Sequence, residues 1–137
     1  MNISSRCDYA CRAIVELAQL APDAATMTAT AIAEKRNIPE NYLVHILLEL
    51  KKAGLLASVR GAQGGYRLAK KPAEITLLAI VLAVDGPLMT PPPCADDSSD
   101  ELATAWKGAT GQIEKLLDLI TVESIVDTTD KANMYFI

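Results

Sequence analysis

The stretch from Lys51 to Leu68, KKAGLLASVRGAQGGYRL, places the strongest limit on how this chain can fold. It begins with the basic end of a helical pattern, and Gly54 stands where a helix commonly ends in the left-handed conformation. Strand-forming residues then flank a glycine-rich turn, Gly61–Gly65, with Arg60 before it and Arg67 after it. We predict a β-hairpin with arginines near its tip directly after a helix, which is the form of a wing. Taken alone, such a hairpin is equally well an ordinary surface turn.

Two helical patterns joined by a tight turn precede this hairpin. The first, Ala31–Arg36, ends at Asn37, a residue that tolerates the left-handed conformation. The second begins after Pro39 and runs to Ala53. Its apolar stripe comprises Tyr42, Leu43, Ile46, Leu47 and Leu50. Together the two patterns predict a helix-turn-helix, which follows an earlier helix ending near Leu20.

The distribution of charge indicates a polyanion-binding module in the first half of the chain. Half of the 137 residues are hydrophobic and only 4% are aromatic, so the core should consist of Leu, Ile, Val and Ala, as in helical proteins. The net charge of −4 argues against nucleic acid, but its distribution reverses that argument. Residues 1–72 contain ten Lys and Arg against six Asp and Glu, whereas residues 73–137 contain three against eleven. The acidic half should stay away from the polyanion that the basic half binds.

The second half predicts a short helix, a loop and a long helix. The helix over Thr76–Val84 is almost wholly apolar, and we expect it to be buried. Residues 88–100 hold three prolines and an acidic run, which is typical of a loop. A broad apolar face over Glu101–Ile120 predicts a long helix that needs a partner, and a short terminal segment follows from Thr121. We expect the apolar tail, Met134–Ile137, to dock on this chain or on a second copy.

Three parts of the sequence carry a resemblance to a known family. They are ISSRCDYACRAIVELA near the N-terminus, the block IAEKRNIPENYLVHILLELKKAGLLASVRGAQGGYRLAKKPAEITLLAIVLAVDGPL, and the later Trp106. They resemble the Rrf2 family of bacterial winged-helix transcription regulators, which includes the IscR, NsrR and CymR types. The run AGLLASVRGAQGGYRLAKKP is specific to that family in a way that a generic helix-turn-helix is not. The resemblance covers residues 1–88 and, more loosely, 101–127.

The resemblance implies a mainly α fold: a winged helix-turn-helix with a small β-hairpin wing and a long C-terminal dimerisation helix. It also implies a homodimer in which Glu101–Ile120 crosses its counterpart, bound to a palindromic operator in double-stranded DNA. Each recognition helix would enter a major groove and each wing an adjacent minor groove, and the habit of the family suggests a repressor. Residues 1–72 then form the DNA-binding domain, 73–100 a buried helix and effector loop, and 101–137 the dimerisation helix and C-terminal segment.

The first turns of the second helix in the pair hold the candidates for reading bases. Asn41 suits adenine and His45 suits a base edge or a phosphate, with the alternative that each is only a solvated polar side chain. Tyr42 is a further candidate, with the alternative that it lies in the core with only its hydroxyl outward. The family commonly has Glu-Gln where this chain has Val44-His45, so the operator preference stays open.

The wing carries the other predicted contacts. Arg60 suits a narrow minor groove, with a hydrated surface arginine as the alternative, and Gln63 stands at the same tip. The basic residues that can contact phosphate are Arg6, Arg12, Lys35, Arg36, Lys51, Lys52 and Arg67. Some of these must face away from the duplex.

The three cysteines bear on what the protein senses. Many members of the family hold an iron–sulfur cluster with three cysteines in the loop before the long helix, whereas this loop has only Cys94. One thiolate cannot hold a cluster that usually needs four ligands, so the chain resembles the members without a cluster, and we expect no cofactor and no metal. Cys7 and Cys11, one helical turn apart, could join Cys94 as ligands or in redox sensing. Alternatively, Cys11 lies in the core and Cys7 is partly exposed.

We predict a cytoplasmic, sequence-specific DNA-binding transcription regulator whose protein or small-molecule effector is open. The N-terminus does not resemble a signal peptide, and the longest apolar run, Ile75–Val84, is too short to cross a bilayer. One histidine and no nucleophile with a base at recognisable spacing argue against an enzyme. Two alternatives stay open: a regulator that docks on an enzyme or polymerase, and a thiol or metal sensor in which DNA binding is secondary.

Overall fold

Six α-helices and one β-hairpin make up the part of the chain that the structure describes. A computed structural model covers residues 2–20, 25–90 and 100–135, and their side chains are described except at 100 and 129–135. In chain order the elements are α1 (Ser5–Ala18), α2 (Ala29–Arg36), α3 (Glu40–Lys52), β1 (Leu56–Val59), β2 (Gly65–Leu68), a 3-10 turn (Pro72–Glu74), α4 (Leu77–Val84), α5 (Asp100–Leu119) and α6 (Val122–Tyr135). The predicted mainly α fold with a hairpin wing is confirmed. No helix in these ranges is long and apolar enough to span a membrane.

Side-chain caps and left-handed residues mark the ends of the first helices. The hydroxyls of Ser4 and Thr28 each accept a backbone N–H of the first helical turn, at 3.0 and 3.1 Å, so α1 and α2 begin with side-chain caps. After α2, Asn37 has a φ of 54°, and after α3, Gly54 has a φ of 80°. Both residues therefore hold the left-handed conformation that their types predict.

The hairpin is joined by a third short stretch that the sequence did not reveal. β1 and β2 pair antiparallel, with Val59 opposite Gly65. On the other side of β2, Met27 and Tyr66 exchange two backbone hydrogen bonds of 2.8 and 3.0 Å. A Cβ at Gly65, where φ is 152°, would lie 2.6 Å from the carbonyl oxygen of Met27, so only glycine allows this approach. The wing is thereby attached to the segment that leads into α2.

One face of α3 forms the centre of the core. Its fully buried side chains, none more than 1% exposed, are Leu43, Ile46, Leu47 and Leu50. Burial of each contributes about 1.5–3 kcal/mol, and they cluster with residues of α1, α2, β1 and α4 and with Val122 of α6. Tyr42, which the sequence placed in the same stripe, is 58% exposed, because one step along a helix turns a side chain by about 100°. The interpretation of Tyr42 as a core residue is therefore wrong.

α4 has the predicted bounds but not the predicted burial. Thr76 caps it by accepting a backbone N–H at 3.1 Å, and it runs to Val84. Only Ile80 of this helix is fully buried, and Leu82 is 43% exposed. The expectation of a buried helix is wrong in this respect, because α1, α3 and α5, which pack against α4, leave part of its apolar surface uncovered.

A further helix, α6, is present where the sequence predicted a short terminal segment. The bounds of α5 agree with those of the predicted long helix to within one residue, and α6 follows α5 directly. Thr121 and Ser124 cap α6 reciprocally, each accepting the backbone N–H of the other at 3.1–3.2 Å. Two backbone hydrogen bonds of 2.8 and 2.9 Å hold this turn against the start of α4, and α6 packs on α1. Residues 91–99, most of the loop predicted over residues 88–100, and the side chains of the tail, Met134–Ile137, lie outside the described residues.

A buried carboxylate joins α1 to α2. Glu16 is 5% exposed, and its two oxygens accept from Lys35 Nζ at 3.0 Å and from Arg36 Nε at 2.6 Å. Burial raises the pKa of this carboxyl, but the hydrogen bonds from the two cations outweigh burial and leave the pKa below its ordinary 4.5. The ionised carboxylate therefore stabilises the packing of the helix-turn-helix on α1.

Replacing this carboxylate should destabilise the fold in a pH-dependent way. We expect Glu16→Gln to lower the free energy of unfolding by about 1–3 kcal/mol at pH 7, because two charge-assisted hydrogen bonds are lost. The folded pKa is depressed, so the contribution is complete above pH 4.5 and is lost as the pH falls through the folded value. Urea unfolding at pH 7 and pH 3.5 measures both effects. The control is Glu34→Gln, an exposed glutamate of α2, and an equal loss in the two variants contradicts this account.

Candidate nucleic-acid interface

The face of α3 opposite the core is turned to solvent. Since the buried residues hold one side of the helix, the residues at the complementary positions lie on the other side, along its full length. These exposed residues are Asn41, Val44, His45, Leu48, Lys51 and Lys52. A helix held from one side, with amide, imidazole and ammonium groups on the other, has the dimensions and chemistry to enter a major groove.

Both carboxylates of α3 are engaged away from this face. Glu40 accepts a hydrogen bond from the hydroxyl of Thr30 at 2.6 Å, which ties the first turn of α3 to α2. Glu49 pairs with Arg6 of α1. Tyr42 is exposed on the flank that Glu49 occupies, and not on the line of Asn41 and its neighbours. The outward face of α3 therefore carries no carboxylate that would repel a phosphate backbone.

The tip of the wing is exposed and fixed at its base. Arg60, Gln63 and Arg67 all expose their side chains to solvent. The hydroxyl of Thr26 donates to the backbone carbonyl oxygen of Gln63 at 2.9 Å, which leaves the amide side chain of Gln63 outward. At the end of α3, Lys51 Nζ donates to Ser58 Oγ of β1 at 2.7 Å. These bonds join the wing to α3 on one side and to the segment before α2 on the other.

The positive charge of the wing end is not neutralised within the described residues. Residues 51–72 contain no Asp or Glu, and their cations are Lys51, Lys52, Arg60, Arg67, Lys70 and Lys71. The ion pairs of the described residues all involve other cations, namely Arg6, Arg12, Lys35 and Arg36. The chain thus separates cations that hold helices together from cations that are available to an anionic partner.

The residues predicted to contact phosphate fall into two groups, those paired with a carboxylate and those without such a partner among the described residues. The guanidinium of Arg36 is 28% exposed and reaches Gln19 at 3.0 Å as well as the buried carboxylate of Glu16. Lys35 is 67% exposed although it pairs with the same carboxylate. Lys51 and Arg67 keep exposed side chains at the wing end. Contact of each of these residues with DNA stays a prediction.

The burial of the cysteine pair on α1 differs in part from the sequence interpretation. Cys7 is buried, 4% exposed, so the expectation that it is partly exposed is wrong, whereas Cys11 is half-buried and packs against the core cluster. Burial raises the pKa of the Cys7 thiol, and burial together with the neighbouring Cys7 raises the pKa of Cys11 to about 12. Both are protonated at neutral pH, and thiols are poor ligands and poor nucleophiles. Cys94 lies outside the described residues.

A cavity of about 330 Å³ lies beside these thiols, between the N-terminal segment, α4 and α5. Its walls are mainly apolar and include Leu77, Ile113 and Leu117, with Asp8 and Asp85 as its charged residues. Asp8 is paired with Arg12 at 2.9 Å, and Asp85 accepts from the hydroxyl of Ser4. Within residues 2–20, 25–90 and 100–135, no three His, Cys, Asp or Glu side chains stand together as a metal site.

Several functional features escaped the sequence analysis. The bridge at Met27 had only a weak signal, a short run of threonines around a methionine before α2. Glu16 lies among apolar residues of α1 in the sequence, which is a signal that it could be buried. The basic residues at the end of α2 were the signal that cations could neutralise its charge. Val44 and Leu48, three and seven residues after Asn41, were recognisable as outward-facing from the helical period alone.

Comparison with known proteins gives concordant findings. The Rrf2 family, described as iron-dependent transcriptional regulators, matches residues 3–128. An rrf2-like HTH-type transcriptional regulator of Rhodobacter capsulatus is 35% identical, with 90% of this chain and 91% of the relative covered. The structure of CymR, the global cysteine regulator of B. subtilis, superposes with a TM-score of 0.78 at 29% identity, over 93% of this chain and 98% of that one. IscR of T. potens gives 0.77 at 31%, over 96% and 90%.

The raised pKa values predict slow thiol chemistry on α1. In a Cys94→Ser variant, which retains only Cys7 and Cys11, we expect reaction with a disulfide reagent at pH 8 to be at least about a hundredfold slower than for free cysteine. A pKa of about 12 leaves roughly one Cys11 thiol in ten thousand ionised at that pH. The same variant unfolded in urea is the control and should react at the ordinary rate. Fast stoichiometric reaction of the native protein would contradict the protonated state of these thiols.

Proposed function

The chain belongs to the Rrf2 family of transcriptional regulators, and on that premise we propose that it binds a palindromic operator as a homodimer and acts as a repressor. Its relatives are named HTH-type transcriptional regulators, and as a member of their family it is a DNA-binding regulator and not an enzyme. The observation that supports this mode of binding concerns α3 and the wing together. An outward helix face without carboxylates stands next to a wing end whose cations have no carboxylate partner among the described residues.

In the proposed complex, α3 enters the major groove and the wing enters the neighbouring minor groove. Asn41 can bind adenine through two hydrogen bonds, and His45 can donate to a base edge or a phosphate. Arg60 suits a narrow minor groove because the negative potential there is enhanced, and Gln63 extends the contact at the tip. Tyr42 lies at the edge of α3, where its hydroxyl suits a phosphate. The exposure of all five side chains supports these roles.

The proposed phosphate contacts are of two kinds. Lys51 and Arg67 are without a carboxylate partner in the described chain, so their charges can release counterions directly on binding. For Arg6, Lys35 and Arg36, contact with phosphate requires that the cation share or leave its carboxylate. We therefore assign most of the electrostatic binding energy to the wing end.

The proposed dimer uses the exposed apolar side of α5. Leu102, Trp106 and Leu116 are between 52% and 64% exposed, and Leu82 of the adjoining α4 is 43% exposed. Such a surface is unfavourable in water, and a second copy of the same helix would cover it. We accordingly assign DNA binding to residues 1–72, the short helix and effector loop to 73–100, and dimerisation to 101–137.

The proposed regulator works without an iron–sulfur cluster. The family includes IscR and CymR proteins, and in this chain the loop that the sequence predicts over residues 88–100 contains a single cysteine, Cys94. The protonated pair Cys7 and Cys11 would not supply thiolate ligands without a large cost in proton release. The rival reading as a thiol or metal sensor with secondary DNA binding therefore rests on Cys94 alone. As a reader of chromosomal DNA the protein would act in the cytoplasm, with a protein or small-molecule effector.

Two single substitutions separate the proposed roles in DNA binding. Duplexes are first selected by the protein from a random-sequence pool, and affinities are then measured against salt. Arg60→Ala should weaken the preference for A·T-rich flanks and reduce the slope of log K against log salt by about 1. Asn41→Ala should relax one base position by about 1–3 kcal/mol and leave the slope unchanged.

The control is Lys115→Ala, which removes an exposed positive charge from α5. It should change neither the slope nor the preference. A protein that docks on an enzyme or polymerase instead would enrich no duplex and show no steep salt dependence. Unchanged affinity and preference in both Arg60→Ala and Asn41→Ala would refute the assigned contacts.

A charge on the apolar side of α5 should break the dimer. Leu116→Glu should shift the mass in solution to that of one 14.7 kDa chain and weaken operator binding by about 10²-fold or more, because two linked half-sites are no longer bound together. Lys115→Glu, adjacent in sequence but turned about 100° away from Leu116 around α5, should stay dimeric. Light scattering gives the mass, and the emission of Trp106, the only tryptophan, reports burial of that side. Identical masses for the two variants would place the dimer contact elsewhere.

A further inference from the structure

Two apolar side chains interrupt the polar face that α3 turns to solvent. Val44 is 38% exposed and Leu48 is 43% exposed. Neither belongs to the core cluster or to the partly buried hydrophobic residues that pack against it. They stand between Asn41 in the first turn and the lysines of the last turn, so they lie where this face would meet a duplex.

Packing within this chain does not account for an apolar residue at position 44. An exposed helix position is filled at least as well by alanine or by a polar helix former, and a β-branched valine has a lower helix propensity. An outward valine therefore gains most where an apolar group meets it. In the major groove of DNA the one apolar group on a base edge is the 5-methyl of thymine.

The rest of the face points to the same base. Reading cytosine by its amino group calls for an acidic acceptor, and the two acids of α3 are held elsewhere, Glu40 by Thr30 and Glu49 by Arg6. Asn41 suits adenine, the pairing partner of thymine. Three residues along a helix advance by about 4.5 Å, which is close to the 3.4 Å between successive bases of a strand. Side chains at 41 and 44 can therefore address neighbouring base pairs.

We propose that Val44 determines specificity by packing on the 5-methyl group of a thymine beside the base pair that Asn41 contacts. The inference rests on the proposed entry of α3 into the major groove and adds the chemical feature that this helix recognises. The valine side chain is stiff in a helix, so ordering it against the methyl group costs little conformational entropy. Leu48 lies one turn further along α3, and together with Val44 it forms an apolar strip on the outward face of the helix.

The test replaces thymine by uracil, which pairs identically but lacks the 5-methyl group. The probe is a duplex that the protein selects from a random-sequence pool, resynthesised with uracil at one thymine of each half-site at a time. Wild-type protein should bind roughly fifteenfold more weakly at one position, the loss expected when one buried methyl group is removed from each of the two half-sites. Val44→Ala should bind the thymine and uracil duplexes equally at that position. Alanine is the better helix former, so the variant should keep its helical circular dichroism.

Leu48→Ala is the matched control, because it removes apolar surface from the same face and should keep the discrimination between thymine and uracil. Loss of discrimination in Leu48→Ala with retention in Val44→Ala overturns the assignment to Val44. Wild-type protein that ignores uracil at every position of a selected duplex overturns the inference while leaving DNA binding intact, and the apolar strip would then suit a protein partner. Failure to select any duplex refutes the proposed function itself and this inference with it.

Discussion

The burial of one side of α3 is the constraint on which the rest of the structure depends. Four side chains from Leu43 to Leu50 are enclosed by α1, α2, β1 and α4, so the helix has no freedom to turn about its axis. Its opposite side is therefore presented to solvent as one fixed surface. The wing follows directly from the end of α3 and is held there by Lys51 and, through Met27, by the segment before α2. A single packing arrangement thus positions both the helix and the hairpin that carry the proposed contacts.

Electrostatics divides the cations of this chain into two groups with different roles. The cations of α1 and α2 stabilise the packing of helices. Lys35 and Arg36 pair with the buried carboxylate of Glu16, and Arg6 pairs with Glu49. At the wing end no carboxylate is available, because residues 51–72 contain none. The overall charge of −4 hides this local excess, since most of the acidic residues lie after residue 72. The acidic C-terminal helices would be repelled by the same duplex that the wing attracts, which favours one orientation of binding.

Local signals predicted the helices and the hairpin because each signal acts within a few residues. The left-handed Asn37 and Gly54 and the glycine-rich turn all have their cause in neighbouring backbone, and all are present. Contacts between segments that are distant in sequence were not predictable in this way. Met27 pairs with β2, from which α2 and α3 separate it along the chain, and the burial of Cys7 and Cys11 depends on how α4 packs on α1. The apolar sequence of α4 predicted a buried helix, but hydropathy does not indicate whether residues of this chain or of another molecule cover an apolar surface. The kind of site, a nucleic-acid interface with an exposed α3 face and a basic tip, was predictable from the sequence. The neutralisation of Arg6 and Arg36 was not, because their carboxylate partners lie on other helices.

Methylation protection reports whether α3 lies in the major groove while the wing lies in the minor groove. Dimethyl sulfate modifies guanine N7 in the major groove and adenine N3 in the minor groove, so one reaction reports both grooves on a selected duplex that carries guanines in the segments that α3 covers. We expect protected guanine N7 atoms in two major-groove segments about one helical turn apart, and protected adenine N3 atoms next to them. With Arg60→Ala, protection of adenine N3 should be lost while protection of guanine N7 remains. Loss of both together, or protection confined to the minor groove in the wild-type complex, would contradict the account.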